Sequence, residues 1–180
     1  MIALVLGAPD SGKSRIAEEL ALQYAGNGRR IYVATMIPFG DAGRERVERH
    51  RKLREGKGFE TIERPDDLVG LSEEIVGLSE AVCLLECASN LVGNEMHAER
   101  NAGATDAALA TQIAESIAEL GARAKALVVV SNEFTPNLPD YDDETRRYVA
   151  LQRMVNESLR ALADVTYEFK EGDWRVHENV

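Results

Sequence analysis

Short runs of apolar residues recur along the 180-residue chain, separated by stretches in which apolar positions return every three or four residues. A short apolar run rich in β-branched and aromatic residues is typical of a buried strand, whereas the longer spacing places apolar side chains on one face of a helix. The runs predict strands at residues 2–6, 30–35, 59–63, 81–86 and 126–131. The longer spacing predicts helices directly after Ser14 and at residues 41–55, 65–78, 106–123 and 144–163.

The alternation of strand and helix favours parallel β-α-β units, because a helix is the usual crossover between parallel strands. The strand at 126–131 is almost wholly apolar, so we expect it near the centre of the sheet. Residues 165–169 and 174–176 flank a turn-like sequence and predict a terminal antiparallel hairpin. Residues 87–104 are polar and lack strong periodicity, so we interpret them as a loop region with at most a short helix.

These elements predict an α/β fold, a three-layer sandwich with a mostly parallel sheet and a C-terminal antiparallel hairpin. The length and the lack of a linker-like stretch favour a single domain over residues 1–180. The formal charge of −10 argues against a general affinity for nucleic acid or anionic membrane. No apolar run approaches the roughly 20 residues of a membrane span, and we expect a cytoplasmic protein.

Residues 7–14 carry a complete phosphate loop directly after the first strand. In the pattern G-x-x-x-x-G-K-[ST], backbone N–H groups surround phosphate oxygens, the lysine reaches the terminal phosphates and the hydroxyl ligates Mg²⁺. The N-terminus of the following helix adds partial positive charge. We therefore predict a fold of the phosphate-loop NTPase type that binds a nucleoside triphosphate here, with Lys13 as a catalytic residue. The predicted contacts are Gly7, Ala8, Pro9, Asp10, Ser11, Gly12, Lys13 and Ser14.

Polar residues end several of the predicted strands. Open α/β sheets bind ligands at the carboxyl ends of their strands, which is where Thr35, Glu86 and Asn132-Glu133 are found. An acidic residue after an apolar strand suits a Mg²⁺ ion or its water ligand in a phosphate-loop enzyme. We expect Ser14 and Glu86 to serve the metal and Thr35 to contact nucleotide. Glu133 is the competing carboxylate, and either glutamate could instead cap the following helix.

The predicted helix at 41–55 is basic, although the protein as a whole is acidic. From Arg44 onward it contains six arginine or lysine residues and three glutamates. His50 lies among them, with Arg46 and Arg54 at helical spacing. Nearby positive charge favours the neutral imidazole, which is the nucleophilic form, and the arginines could hold the phosphates of a nucleotide under attack. A charged helix is more often a solvated surface, so spacing alone leaves both interpretations open.

The ordered set of motifs resembles the bifunctional adenosylcobinamide kinase and adenosylcobinamide-phosphate guanylyltransferase family over nearly the whole chain. The residues that carry the resemblance are the phosphate loop with Arg15, Tyr32-Val33-Ala34-Thr35, Arg46-Val47-Glu48-Arg49-His50-Arg51, Leu84-Leu85-Glu86-Cys87 with Asn90 and Asn94, Val130-Ser131-Asn132-Glu133, and Asn156. The resemblance implies an enzyme of cobalamin biosynthesis that phosphorylates the cobinamide hydroxyl, takes GMP from GTP onto a histidine and passes it to cobinamide phosphate. By motif position this histidine corresponds to His50, and Arg51 is expected to contact nucleotide.

The resemblance also implies GTP or ATP as a substrate together with Mg²⁺, a corrinoid as the second substrate, and a homo-oligomer. Two other functions fit the residues. One is a kinase with a single activity on another small molecule, in which His50 only contacts phosphate. The other is a nucleotide-binding regulatory protein that is degenerate in catalysis. Labelling of the protein by α-phosphate argues against the first, whereas tight GTP binding without turnover favours the second.

Overall fold

The structure is a computed structural model that describes residues 1–136 and 138–179; the side chain of Arg46, within a motif that carries the family resemblance, also lies outside the described part. The strands are β1 (Ile2–Gly7), β2 (Arg30–Ala34), β3 (Phe59–Glu63), β4 (Val82–Glu86), β5 (Ala126–Asn132), β6 (Val165–Lys170) and β7 (Asp173–Glu178). The helices are α1 (Lys13–Ala25), α2 (Gly40–Arg54), α3 (Leu68–Glu74), α4 (Ala88–His97), α5 (Asp106–Arg123) and α6 (Asp143–Leu162).

The described strands form one sheet in the order β3-β2-β4-β5-β1-β6-β7. Every neighbouring pair from β3 to β6 is parallel, and only β7 runs antiparallel, against β6. Glu171 and Gly172 both have positive φ, 54° and 86°, which matches the two-residue hairpin turn that follows the twist of the strands. The mostly parallel sheet and its terminal hairpin are therefore confirmed, and so is the central place of β5.

The sheet is covered on both faces because side chains alternate along its strands. On β1, Leu4 and Leu6 face a core that includes Ile117 of α5. Ala3 and Val5 point to the other face, where they pack in a second core together with residues of α1. All four strand residues are fully buried. Helices on both faces give the predicted three layers.

Residues 88–97 form a helix of ten residues, so the region at 87–104, interpreted as a loop with at most a short helix, is more ordered than expected. The inward face of α4 carries Ala88, Leu91, Val92 and Glu95, all of them buried. These positions have helical spacing, but the charged residue among them interrupts the apolar pattern. Glu95 is tolerated there because Arg100 donates to it at 2.7 Å and Asn101 at 2.8 Å. Because a paired carboxylate occupies an inward position, the apolar periodicity of this helix is hard to recognise in the sequence.

Helix α3 is much shorter than the predicted helix over 65–78. It begins after Asp67, whose carboxylate accepts a hydrogen bond from Gly70 N at 3.1 Å. It ends at Glu74 because the next residue, Ile75, leaves the helical conformation with a ψ of 108°. None of the helices in the described part of the chain combines the length and the apolarity needed to cross a bilayer.

Candidate active site

The phosphate loop connects β1 to α1 at the carboxyl edge of the sheet. Gly12 is the N-cap residue of α1 with a φ of 84°, and no side chain caps the helix, so its first N–H groups face the loop. Lys13 is 6% exposed and its Nζ donates to Ala8 O at 2.5 Å. The loop therefore combines an ammonium group and a helix N-terminus at one place, which suits an anion.

Gly7 is required by the close approach of the C-terminal hairpin to the loop. A Cβ atom at this position would lie 2.9 Å from Phe169 Cβ and 2.8 Å from Ser11 Oγ. Such distances are too short for non-bonded heavy atoms. The backbone of the loop can thus pack directly against the end of β6.

The carboxylate of Glu86 brings together three of the predicted site residues. The registers place Glu86 opposite Ala34 on β2 and Val130 on β5, so it ends β4 at the same edge as the phosphate loop. Ser14 Oγ donates to Glu86 Oε1, and His50 Nδ1 lies 3.4 Å from the same oxygen. Glu86 is 8% exposed. The loop hydroxyl and the imidazole therefore share one buried carboxylate.

His50 reaches this carboxylate from α2, which belongs to the crossover between β2 and β3. Its side chain is about one-fifth exposed, at 21%. Nδ1 is the ring nitrogen in contact with Glu86, and a proton on Nδ1 leaves the lone pair on Nε2. A carboxylate that orients an imidazole in this way is typical of a histidine that acts as a nucleophile or a base.

Tyr32 and Arg54 complete the site; the sequence predicted no role there for Tyr32, whereas Arg54 was among the arginines that could hold phosphates. Tyr32 OH donates to Glu86 Oε2 at 3.2 Å, and burial together with the negative charge of Glu86 raises the pKa of Tyr32, so the phenol keeps its proton. The guanidinium carbon of Arg54 lies 3.3 Å from the centroid of the Tyr32 ring. The only signal in the sequence was that Arg54 follows His50 by four residues, on the same helix face.

A cavity of about 610 Å³ opens in front of these groups. His50, Glu86 and Arg54 line it, and Ala34 and Val47 contribute apolar surface. A volume of several hundred cubic ångströms with a few convergent polar groups is typical of a small-molecule site. The cavity adjoins the phosphate loop through Glu86, so a nucleotide could reach both.

Three other predicted site residues pair with groups other than the carboxylate of Glu86. Arg51 also lines the cavity, and its guanidinium pairs with Glu63 at 2.7 Å. Thr35 is fully buried, and its hydroxyl donates to Cys87 O and accepts from Cys87 N, both at 2.8 Å. Glu133 pairs with Arg160. Of the two competing carboxylates, Glu86 is therefore the one that contacts Ser14, and a contact between Thr35 and nucleotide stays a prediction.

Two asparagines from the resemblance motifs hold the strand ends in place. Asn94 Nδ2 donates to Thr35 O and to Pro65 O, each at 2.8 Å, and so ties α4 to the ends of β2 and β3. Asn156 Nδ2 on α6 donates to Asn132 O at 2.9 Å. These side chains fix the carboxyl edge of the sheet, on which the site is built.

Comparison with solved structures shows a phosphate-loop ATPase fold. The ATPase domain of G40P superposes with a TM-score of 0.58 and 10% sequence identity, covering 96% of this chain and 70% of that chain. The flagellar accessory protein FlaH from Methanocaldococcus jannaschii matches with a TM-score of 0.49 and 15% identity, covering 97% of this chain and 75% of that one. No curated protein matches the chain significantly. The first likeness supports the fold alone, because its identity is low.

Comparison with protein families gives a match over residues 3–173 to the model of cobinamide kinase / cobinamide phosphate guanyltransferase. The match covers the phosphate loop, the helix that carries His50, and the strand ends that form the cavity. It implies that the chain uses a nucleoside triphosphate and that cobinamide and cobinamide phosphate are its substrates. The chain therefore belongs to the cobinamide kinase / cobinamide phosphate guanyltransferase family, the bifunctional enzymes of cobalamin biosynthesis.

Proposed function

We propose that the chain performs its guanylyltransferase reaction through a covalent GMP on His50, in the cavity beside the phosphate loop. The observation that carries this proposal is the 3.4 Å contact between His50 Nδ1 and the Glu86 oxygen that also accepts from Ser14. This contact supports the proposal because it brings the imidazole to the carboxylate that also contacts Ser14 of the phosphate loop. Two reactions of one enzyme could thus use the same nucleotide site.

In the first step of transfer, the lone pair on His50 Nε2 attacks the α-phosphorus of GTP. A P–N bond forms, the bond between the α-phosphorus and the bridging oxygen breaks, and pyrophosphate leaves. The ring becomes positively charged while Nδ1 keeps its proton, and the adjacent Glu86 carboxylate stabilises that charge. No proton has to move in this step when the imidazole attacks in its neutral form.

In the second step, an oxygen of cobinamide phosphate attacks the same phosphorus. The P–N bond breaks and its electron pair returns to Nε2, so the imidazole leaves as a neutral group. The product is a diphosphate that joins the corrinoid to guanosine. Glu86 holds the ring in one orientation in both steps, which lowers the entropic cost of each.

In the kinase reaction, the phosphate loop binds the triphosphate and Lys13 stabilises the phosphoryl group in transfer. The cobinamide hydroxyl oxygen attacks the γ-phosphorus, the bond to the nucleoside diphosphate breaks, and the hydroxyl proton passes to water. A hydroxyl and a carboxylate are oxygen ligands of the kind that Mg²⁺ prefers, with phosphate and water completing its shell. Ser14 and Glu86 would hold the ion, which would neutralise phosphate charge during transfer.

The test is incubation with GTP labelled at the α or the γ position. We expect α label to stay on the denatured wild-type protein and to be absent from His50→Asn, and we expect no γ label on either. His97→Asn is the matched control, because His97 is exposed and pairs with Glu144 at 3.1 Å, outside the cavity. Lys13→Ala should lose both protein labelling and cobinamide phosphorylation.

Two results would contradict the proposal. If γ label but no α label stayed on the protein, the single-activity kinase would be favoured. If GTP bound tightly without labelling the protein or phosphorylating cobinamide, the chain would be a degenerate, regulatory member of the family. The homo-oligomer stays a prediction that rests on the family resemblance, and light scattering of the purified protein tests it.

A further inference from the structure

Arg54 is a buried cation whose hydrogen bonds are incomplete. It is 7% exposed, and its Nε and Nη1 atoms are shielded from solvent without a hydrogen-bond partner among the described residues. The face of the Tyr32 ring, 3.3 Å from the guanidinium carbon, offers the charge some stabilisation. An aromatic face does not replace the hydrogen bonds of the N–H groups, and leaving such groups unpaired in a protein interior is costly.

Three other basic side chains of the same helix are differently placed. Arg44, Arg51 and Lys52 are well exposed, and each pairs with a carboxylate, from Asp41, Glu63 and Glu48 respectively. Exposed pairs of this kind contribute little to stability and are common on helix surfaces. Among the described residues of this helix, Arg54 is the one that is both cationic and buried. Its charge therefore is not solvated as theirs is, and a bound anion would stabilise it.

The guanidinium forms part of the wall of the cavity that His50 and Glu86 also line. Arg54 and His50 are four residues apart on α2, so their Cβ atoms are separated by roughly 6 Å, one turn of the helix. A group attached to His50 Nε2 in the cavity therefore lies near the guanidinium. Because Nε and Nη1 are shielded from solvent, Nη2 is the guanidinium nitrogen that can donate to a phosphoryl oxygen.

We propose that Arg54 is a catalytic residue of guanylyl transfer, which binds the non-bridging oxygens of the α-phosphoryl group while that group is attached to His50. The inference rests on the proposed function of His50. In both steps negative charge is concentrated on these oxygens at a pentacoordinate phosphorus, and a buried cation that is already in place stabilises it without reorganisation.

The experiment measures the rate of α labelling by GTP in wild type, Arg54→Ala, Arg54→Lys and Lys52→Gln. Loss of a preorganised donor predicts that Arg54→Ala is labelled about a hundredfold more slowly, and Arg54→Lys at least about tenfold more slowly. Lys52→Gln removes one positive charge from the exposed side of the same helix and should stay within about threefold of wild type. Addition of guanidinium chloride at millimolar, non-denaturing concentration should restore labelling of Arg54→Ala, and sodium chloride should not.

The kinase rate and the urea unfolding midpoint of each variant provide the structural readout. Labelling that falls much more than cobinamide phosphorylation, together with rescue by guanidinium, supports the proposal. Equal loss of both activities with a lower unfolding midpoint and no rescue would show that Arg54 only packs on Tyr32, and would overturn it. Normal labelling of Arg54→Ala with lost preference for GTP over ATP would place the guanidinium at the base instead. A wild type that takes no α label overturns the proposed role of His50 and this inference together.

Discussion

At the scale of the residue, the site depends on the carboxylate of Glu86. It accepts hydrogen bonds from Ser14 and Tyr32 and lies 3.4 Å from His50 Nδ1. Ser14, Glu86 and His50 could be proposed from the sequence, because a loop motif, a strand end and a basic helix each leave a local pattern. The contact of Arg54 with Tyr32 leaves no local pattern in the sequence, since it joins residues from a helix and a strand that only the tertiary fold brings together.

Asp10 provides a prediction at this scale. It lies exposed in the phosphate loop with a φ of 59°, a conformation that asparagine also adopts readily. Its negative charge repels the phosphates, so Asp10→Asn should lower the Kd for GTP by about two- to tenfold at low ionic strength. Calorimetric titration measures the change.

The matched control for Asp10→Asn is Glu99→Gln, which removes one exposed negative charge far along the chain. Its Kd for GTP should stay close to that of wild type. The gain in Asp10→Asn should also shrink at high salt, because screening weakens interactions between exposed charges. A gain that did not depend on salt would show that the charge of Asp10 is not its cause.

At the scale of the element, the hydrophobic pattern predicts strands better than it predicts helices that bury polar groups. The five apolar runs all form strands, and the helices α5 and α6 begin and end within one residue of their predicted bounds. Helix α4 was predicted only as a short helix at most because Glu95 takes an inward position, and α3 was overestimated because Asp67 caps its start and Ile75 is extended after its end. Both errors arise where a specific hydrogen bond or a backbone conformation outweighs periodicity.

Substitution of Asn94 tests how α4 supports the site. Its amide donates to Thr35 O and Pro65 O, so Asn94→Ala leaves two carbonyls that have lost a donor. We expect the free energy of unfolding to fall by about 1–3 kcal/mol. Urea denaturation followed by circular dichroism measures it. Asn27→Ala, in an exposed turn, should change the value by less than about 0.5 kcal/mol, and an equally small change in Asn94→Ala would contradict this role.

At the scale of the whole molecule, the strand order determines which segments form the site. β5 lies between β4 and β1, so the phosphate loop and Glu86 are separated by one strand, while α2 crosses from β2 to the outer strand β3 and reaches over the edge. An apolar run shows that a strand is buried but not which strands are its neighbours. The order therefore could not be derived from the sequence, although the carboxyl-edge location of the site could.

We propose that the chain unfolds as one domain, hairpin included, because β6 pairs with the central strand β1. Trp174, the single tryptophan, lies on β7 and packs against Phe169 with ring centroids 5.3 Å apart. Its fluorescence reports the unfolding of the hairpin, and far-ultraviolet circular dichroism reports the unfolding of the helices. The two urea transitions should coincide. A fluorescence change that precedes the loss of helix would show that the hairpin opens independently.

The central claim is that His50 carries GMP between the two substrates. The most direct measurement is mass spectrometry of wild-type protein that has been incubated with GTP and Mg²⁺, freed of nucleotide, and then given cobinamide phosphate. We predict a mass increase of one GMP on the peptide that contains His50, and its stoichiometric transfer to the corrinoid in the second stage. A modification on another residue, or one that cobinamide phosphate does not remove, would contradict the account.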